Sequence, residues 1–199
     1  AKCFNNMLER SIPGYSDMRL LCHSIGKRFI DNESHILDLG ASRGEALRPF
    51  IESNVGQLFT GLEMSLPMRE EMFNEFGTNQ KVRILDWDLR HLNKFAQLEA
   101  ENKREYSLIL SVLTLMFTPI QYRLHILHTI YSMLKPGGAF ILVEKVLGSC
   151  SEIDDILVDA YYELKNKNGY SPDDIQRKKA SLEGVQVPMG ILDITFYRD

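Results

Sequence analysis

The stretch Asp38-Leu39-Gly40-Ala41-Ser42-Arg43-Gly44 constrains the fold of this chain more than any other. An apolar run, Ile36, Leu37 and Leu39, leads into it with the character of a buried strand, and a helical pattern takes over at Glu45. A strand that turns on glycine into a helix makes the first ligand-binding corner of an open α/β sheet. Gly40 lets the backbone turn sharply, and the missing side chain leaves bare main chain for a ligand to approach.

Strand-like and helix-like segments then alternate, which predicts an α/β fold with a mostly parallel sheet covered on both faces. The strand candidates are Ile36–Gly40, Leu58–Glu63, Val82–Leu85, Ser107–Val112 and Ala139–Val143. Helices are expected over Met18–Ile30, Glu45–Ser53, Pro67–Phe76 and Leu92–Lys103, and Pro49 sits deep enough in its segment to kink that helix or delay its start. After Pro119, Ile120, Leu124, Leu127, Tyr131 and Leu134 repeat at helical spacing until Lys135-Pro136-Gly137-Gly138 stops them. His125 and His128 lie on that helix as ordinary surface residues, without the further partners a metal site needs, and no metal is expected. Ser151 and Asp154 open another helix, with an apolar stripe of Ile153, Ile156, Leu157, Ala160, Tyr161 and Leu164. Ser171-Pro172-Asp173-Asp174 opens the last one, which Gly184 closes, and Ile191–Tyr197 reads as a final strand. With no repeats and no long linker, one domain is expected: a helical segment 1–33, a core 34–147 and an extension 148–199.

The net charge of −4 over 199 residues gives no electrostatic footprint for nucleic acid, so no direct nucleic-acid binding is expected. Arg177-Lys178-Lys179 is the one basic run, readable as a solvated helix face or as a local patch. Cys3, Cys22 and Cys150 are too few and too scattered for a disulfide framework or zinc site, which points to a reducing compartment. No apolar run approaches the ~20 residues of a membrane span, and no signal-peptide core is visible. A cytoplasmic protein without membrane attachment is the expectation.

The glycine spacing is G-x-x-x-G rather than the G-x-G-x-x-G of a dinucleotide site, and suits S-adenosylmethionine (SAM), which has no pyrophosphate to cradle. Glu63 ends the second strand, 19 residues after Gly44, where a carboxylate can accept both ribose hydroxyls. Asp88, just beyond the third strand, can accept the adenine amino group while Leu89 covers the ring; alternatively it is a helix N-cap. Dinucleotide enzymes have less need of this second acid, so it favours SAM. Ser111, at the end of the fourth strand, faces the reacting group or is satisfied by backbone.

At this point the chain resembles the carboxy-S-adenosyl-L-methionine synthase family, from about Phe4 to Pro188. The resemblance rests on Arg10-Ser11-Ile12-Pro13-Gly14-Tyr15-Ser16, on the Asp38–Gly44 stretch, on Leu134-Lys135-Pro136-Gly137-Gly138-Ala139, on Glu144-Lys145 and on Asn168-Gly169-Tyr170-Ser171. Lys178 and Leu182-Glu183 extend it. It implies a Rossmann-like class I methyltransferase fold, a possible homodimer, and a reaction in which prephenate supplies a carboxylate to the methyl carbon of SAM, the product serving tRNA wobble-uridine modification. By the same resemblance Tyr15 closes over the cofactor, Gly40 and Ser42 line its methionine part, Glu63 takes the ribose, and Asp88 and Leu89 hold the adenine; Ala41, Gly44 and Met64 complete the cofactor-binding candidates. Three positions depart: Ser111 replaces an asparagine, Glu63 an aspartate, and Lys179 the arginine that pairs with the added carboxylate. Lysine is a point charge and cannot reproduce the guanidinium fork.

The leading expectation is therefore a SAM-dependent methyltransferase acting on an unidentified acceptor, a small molecule or prephenate-like acid. Tyr15, Tyr170, Arg177 and Lys179 are the candidates for lining the acceptor. Carboxy-SAM synthesis is the alternative, and a non-catalytic SAM-binding protein a third.

Overall fold

A computed structural model describes residues 2–190, with side chains from residue 6 onward. Two helices, α1 (Lys2–Ser11) and α2 (Tyr15–Gly26), precede five parallel strands: β1 (His35–Leu39), β2 (Leu58–Leu62), β3 (Val82–Leu85), β4 (Tyr106–Val112) and β5 (Leu134–Val143). Between them run α3 (Arg48–Ser53), α4 (Leu66–Phe76), α5 (Leu92–Glu101) and α6 (Ile120–Met133), and α7 (Ser151–Lys167) and α8 (Pro172–Leu182) follow. The sheet order is β3-β2-β1-β4-β5. The connections thus run one way from β1 and the other way from β4, and the crevice where the order reverses is where such sheets take ligands.

Burial of both faces explains why the central strands are nearly continuous apolar runs. On one face Ile36, Phe59, Leu108 and Leu110 pack with Phe50 and Ile51 of α3 and Met72 and Phe76 of α4. On the other, Leu37, Leu39, Leu62 and Ile109 meet Leu92 and Phe95 of α5 and Ile126, Ile130 and Met133 of α6. Helix α2 covers the first of these faces: a Cβ built on its Gly26 would touch Leu108 and Phe50 at 2.8 Å.

All five expected strands form, and several details differ. Helix α3 starts at Arg48, not Glu45, because the chain is still turning after Gly44 and Pro49 suits only a first helical turn. The Lys135-Pro136-Gly137-Gly138 stop lies inside β5, where the partners jump from Tyr106↔Leu134 to Leu108↔Ala139 in a bulge. In α6 the residues turned inward are Arg123, Ile126, Thr129, Ile130 and Met133, while Ile120, Leu124 and Tyr131 of the expected stripe are exposed. Arg123 is tolerated there because its guanidinium donates to the carbonyls of Thr118, Met116 and Val187, at 2.9, 3.2 and 2.7 Å. The stripe of α7 is likewise exposed at Ile153, Ile156 and Leu157. The strand expected over Ile191–Tyr197 lies outside the described residues. No helix among the described residues is long and apolar enough to cross a membrane.

Candidate functional site

The turn after β1 is anchored to the end of β2. Gly40 and Ala41 both donate their N–H to the Leu62 carbonyl at 2.9 Å. Ser42 has φ 50, a left-handed conformation that serine tolerates at a cost, and its N–H donates to Glu63 Oε2 at 2.8 Å. The other oxygen, Oε1, accepts from Ser65 N–H at 2.7 Å. Glu63 therefore fixes the turn against the β2 end and still has lone pairs for two ligand hydroxyls. Gly40 turns the chain with φ 69, and its missing side chain has a further consequence. A Cβ there would lie 2.4 Å from Thr114 Cγ2, so the missing side chain makes room for the loop after β4 and not simply for a ligand.

That loop is held by Glu144, just past β5. Its carboxylate accepts from the N–H groups of Thr114, Leu115 and Met116, at 3.2, 2.6 and 3.1 Å. Burial pushes the Glu144 pKa up, against the pull of those three donors. Glu144 stood in the sequence without a role, and only the resemblance drew attention to it. Thr114 gave no signal at all.

Asp38 was missed as a site residue. It is 2 % exposed, and among the described residues no hydrogen bond reaches its carboxylate. Burial pushes its pKa up to about 8, with Glu45 and Glu63 adding to the rise and Arg19 opposing it. The signal was available: a lone acid inside an otherwise apolar strand, at the mouth of a ligand crevice. Tyr15 is buried at the first turn of α2, its hydroxyl accepting from Arg19 Nη1 at 3.3 Å. Burial raises its pKa, and the Arg19 charge and hydrogen bond pull it back.

Asp88 caps the short turn Leu89–His91, accepting from Arg90 N–H at 2.9 Å and from the Arg90 guanidinium, which pulls its pKa down. The N-cap alternative is thus realised, and unused lone pairs leave room for a further donor. Leu89 is buried beneath it, whereas Met64, beside Glu63, is 62 % exposed at the strand end. Ser111 is fully buried, and its hydroxyl has no partner among the described residues, so the backbone does not satisfy it.

A methyltransferase-domain family profile matches residues 37–142. The carboxy-S-adenosyl-L-methionine synthase of Histophilus somni (strain 2336) is 34 % identical over 192 residues, covering 93 % of this chain and 75 % of that protein. The enzyme of the same name from Actinobacillus pleuropneumoniae serotype 7 (strain AP76) is 32 % identical, covering 94 % and 76 %. The chain belongs to the carboxy-S-adenosyl-L-methionine synthase family.

Solved structures agree on the fold. An S-adenosylmethionine-dependent methyltransferase from Clostridium acetobutylicum ATCC 824 superposes with TM-score 0.56 at 18 % identity, over 72 % of this chain and 57 % of that one. The glycopeptide N-methyltransferase MtfA complexed with sinefungin gives TM-score 0.50 at 14 % identity, over 67 % of this chain and 56 % of that one. The chain thus spans little more than half the length of these two structures. As a member of the carboxy-S-adenosyl-L-methionine synthase family it is a SAM-dependent transferase, and SAM is its cofactor. The residues present suit that molecule. A buried carboxylate that accepts no hydrogen bond among the described residues matches a cationic ligand, and Glu63 matches a ribose.

The remaining acceptor-site candidates of this family member gather elsewhere. Tyr170 binds Ser11 Oγ at 2.9 Å through its hydroxyl and stacks under Arg10, 4.6 Å from the ring centroid. Arg177, paired with Asp174, lines a cleft with Tyr170, Met7, Ser11, Lys178 and Ser181. Lys179 lies 5.9 Å from the Tyr162 ring centroid and is exposed. Among the described residues, the hydrogen bonds and ion pairs of these three stay within α1, α7 and α8 and the turn between the last two.

Proposed function

We propose that this chain transfers a group to or from SAM at the crevice between β1 and β4, with methyl transfer to a small acceptor as the simplest form. The observation that carries the reading is the buried Asp38 carboxylate beside a turn whose Ser42 N–H is fixed by Glu63. SAM supplies an electrophilic carbon on a sulfonium, so the protein need only bind, orient and exclude water. Asp38 receives the cationic amino-acid end. The Ser42 turn lies along the methionine portion with Gly40, Ala41 and Gly44, and Glu63 takes the ribose with Met64 alongside. Asp88 and Leu89 hold the adenine, Ser111 forms the inner wall and Tyr15 closes the top. Tyr170, Arg177 and Lys179 are proposed to reach the acceptor from α8 and the preceding turn.

A second reading, carboxy-SAM synthesis with a prephenate-like acid, is favoured by the sequence relatives, which match 93 % of the chain. The Ser111 and Lys179 departures weigh against it. In this reading the product serves tRNA modification, although the protein itself makes no direct nucleic-acid contact. We further propose that residues 1–199 act as one cytoplasmic domain, dimerising through the exposed apolar residues of α2 and α7. Mass spectrometry of small molecules released from freshly purified protein separates the readings. SAM or S-adenosylhomocysteine alone supports methyl transfer. A ligand heavier than SAM by one carboxyl group supports carboxy-SAM synthesis, and its loss in Lys179→Glu would show that Lys179 holds it. A nicotinamide in place of all of these overturns both.

A further inference from the structure

Helix α2 turns a stripe of Tyr15, Cys22 and Gly26 into the protein, and all three are buried. Spacing of four, three and four residues places one more position on that stripe, and it is occupied by Arg19. A guanidinium on an inward face ordinarily meets a carboxylate, because its charge is costly to leave unmatched. Arg19 meets none within ion-pair distance among the described residues. Its contacts are the Tyr15 hydroxyl at 3.3 Å and the Tyr15 ring, with the centroid 5.5 Å from the guanidinium carbon. The contrast with its neighbours is sharp: Arg43 is neutralised by Glu45, Arg48 by Glu75, and Arg69 by Asp86. Arg19 lies two turns before Gly26 on the stripe that packs against Leu108 of β4, so it stands on the sheet-facing side of α2, and its charge opposes the rise of the Asp38 and Cys22 pKa values.

Resting on the SAM reading above, we propose that Arg19 is the guanidinium with which this pocket binds a ligand carboxylate. The fork of a guanidinium accepts a carboxylate through two parallel N–H···O bonds, which Lys179 cannot offer. Two carboxylates are in question, and both belong to ligands of this crevice: the α-carboxylate on the amino-acid end of SAM, and a carboxylate carried by the transferred group. In the first case Asp38 and Arg19 form a clamp for a zwitterion, one charge for each end. In the second, Arg19 takes over from α2 the task that the arginine replaced by Lys179 performs in the relatives.

Calorimetric titration of wild type, Arg19→Met and Arg19→Lys with SAM, decarboxylated SAM and carboxy-SAM distinguishes these cases. If the α-carboxylate is bound, Arg19→Met weakens SAM and carboxy-SAM alike by tenfold or more and leaves decarboxylated SAM within twofold. If the carboxylate of the transferred group is bound, only carboxy-SAM weakens by that factor. Either pattern supports the proposal, provided Arg19→Lys recovers part of the loss and both variants melt within a few degrees of wild type. An Arg19→Met protein that binds all three ligands within twofold of wild type overturns the role of Arg19 alone. Wild-type protein that binds none of them overturns the SAM reading and this inference together.

Discussion

At the scale of single residues, the site is decided by two carboxylates with opposite circumstances. Glu63 is engaged at both oxygens, each accepting one backbone N–H and each keeping a lone pair for a ligand. Glu63→Gln keeps one acceptor and sets an amide N–H₂ against a backbone N–H, which costs roughly 1–3 kcal/mol of stability in chemical denaturation. Asp38 is unused and buried. Its folded pKa of about 8 stands above the ordinary 3.8, so between those values the folded state holds a proton that the unfolded state has released. Stability attributable to this group is complete below the lower value and is lost as pH rises toward the higher one. Asp38→Asn removes the titration. Its gain over wild type is expected to be absent near pH 4, to grow by at most about 1.4 kcal/mol per pH unit, and to level off above pH 8. Thermal melts across that range check it, and a gain that shrinks with rising pH contradicts it. Both acids stood in the sequence. Glu63 was legible because it ends a strand, while Asp38 was hidden by being read as part of one.

At the scale of elements, the crevice is built by pieces that arrive from distant points in the chain. The turn after β1 carries Gly40, the loop after β4 carries Thr114 pressed against it, and Glu144 after β5 holds that loop by three N–H groups. Gly40→Ala meets two penalties, a left-handed φ of +69 worth roughly 1–2 kcal/mol and a clash with Thr114. Thr114→Ala relieves the clash and not the conformation. A double-mutant cycle by denaturant titration should therefore find the Thr114→Ala change less harmful, or even favourable, in the Gly40→Ala background. Strict additivity would mean that the contact carries no energy. Local patterns could not disclose this coupling, because each partner is an ordinary residue in its own segment. The same blindness explains α6: Ile120, Leu124 and Tyr131 look like a core stripe, yet the helix is rotated to bury Arg123, whose charge three carbonyls absorb.

At the scale of the whole molecule, the topology was legible because buried parallel strands announce themselves as short apolar runs. Their ends then locate Glu63, Asp88 and Ser111 on one rim of the sheet. What stayed hidden is everything that reaches that rim from outside the strands: Arg19 from α2, the Thr114 loop, and Glu144. The α8 residues Arg177 and Lys179 and the nearby Tyr170 show the converse, since sequence placed them with the acceptor while their described contacts hold them against α1 and α7. This arrangement predicts how binding is linked to stability. A ligand that draws α2, the β1 turn and the β4 loop around itself binds only the folded chain, so it must raise the melting temperature. At a hundred times its dissociation constant SAM contributes about 2.7 kcal/mol, or roughly 5–10 °C for a chain of this size. The shift should be larger at pH 8.5 than at pH 6, because a cationic ligand favours the ionised Asp38 and needs no proton expelled there. In Asp38→Asn the pH dependence of the shift should vanish even if some of the shift survives. A shift equal at both pH values in wild type would mean that Asp38 does not face the ligand, and NADH reproducing the shift where SAM does not would remove SAM from the crevice altogether.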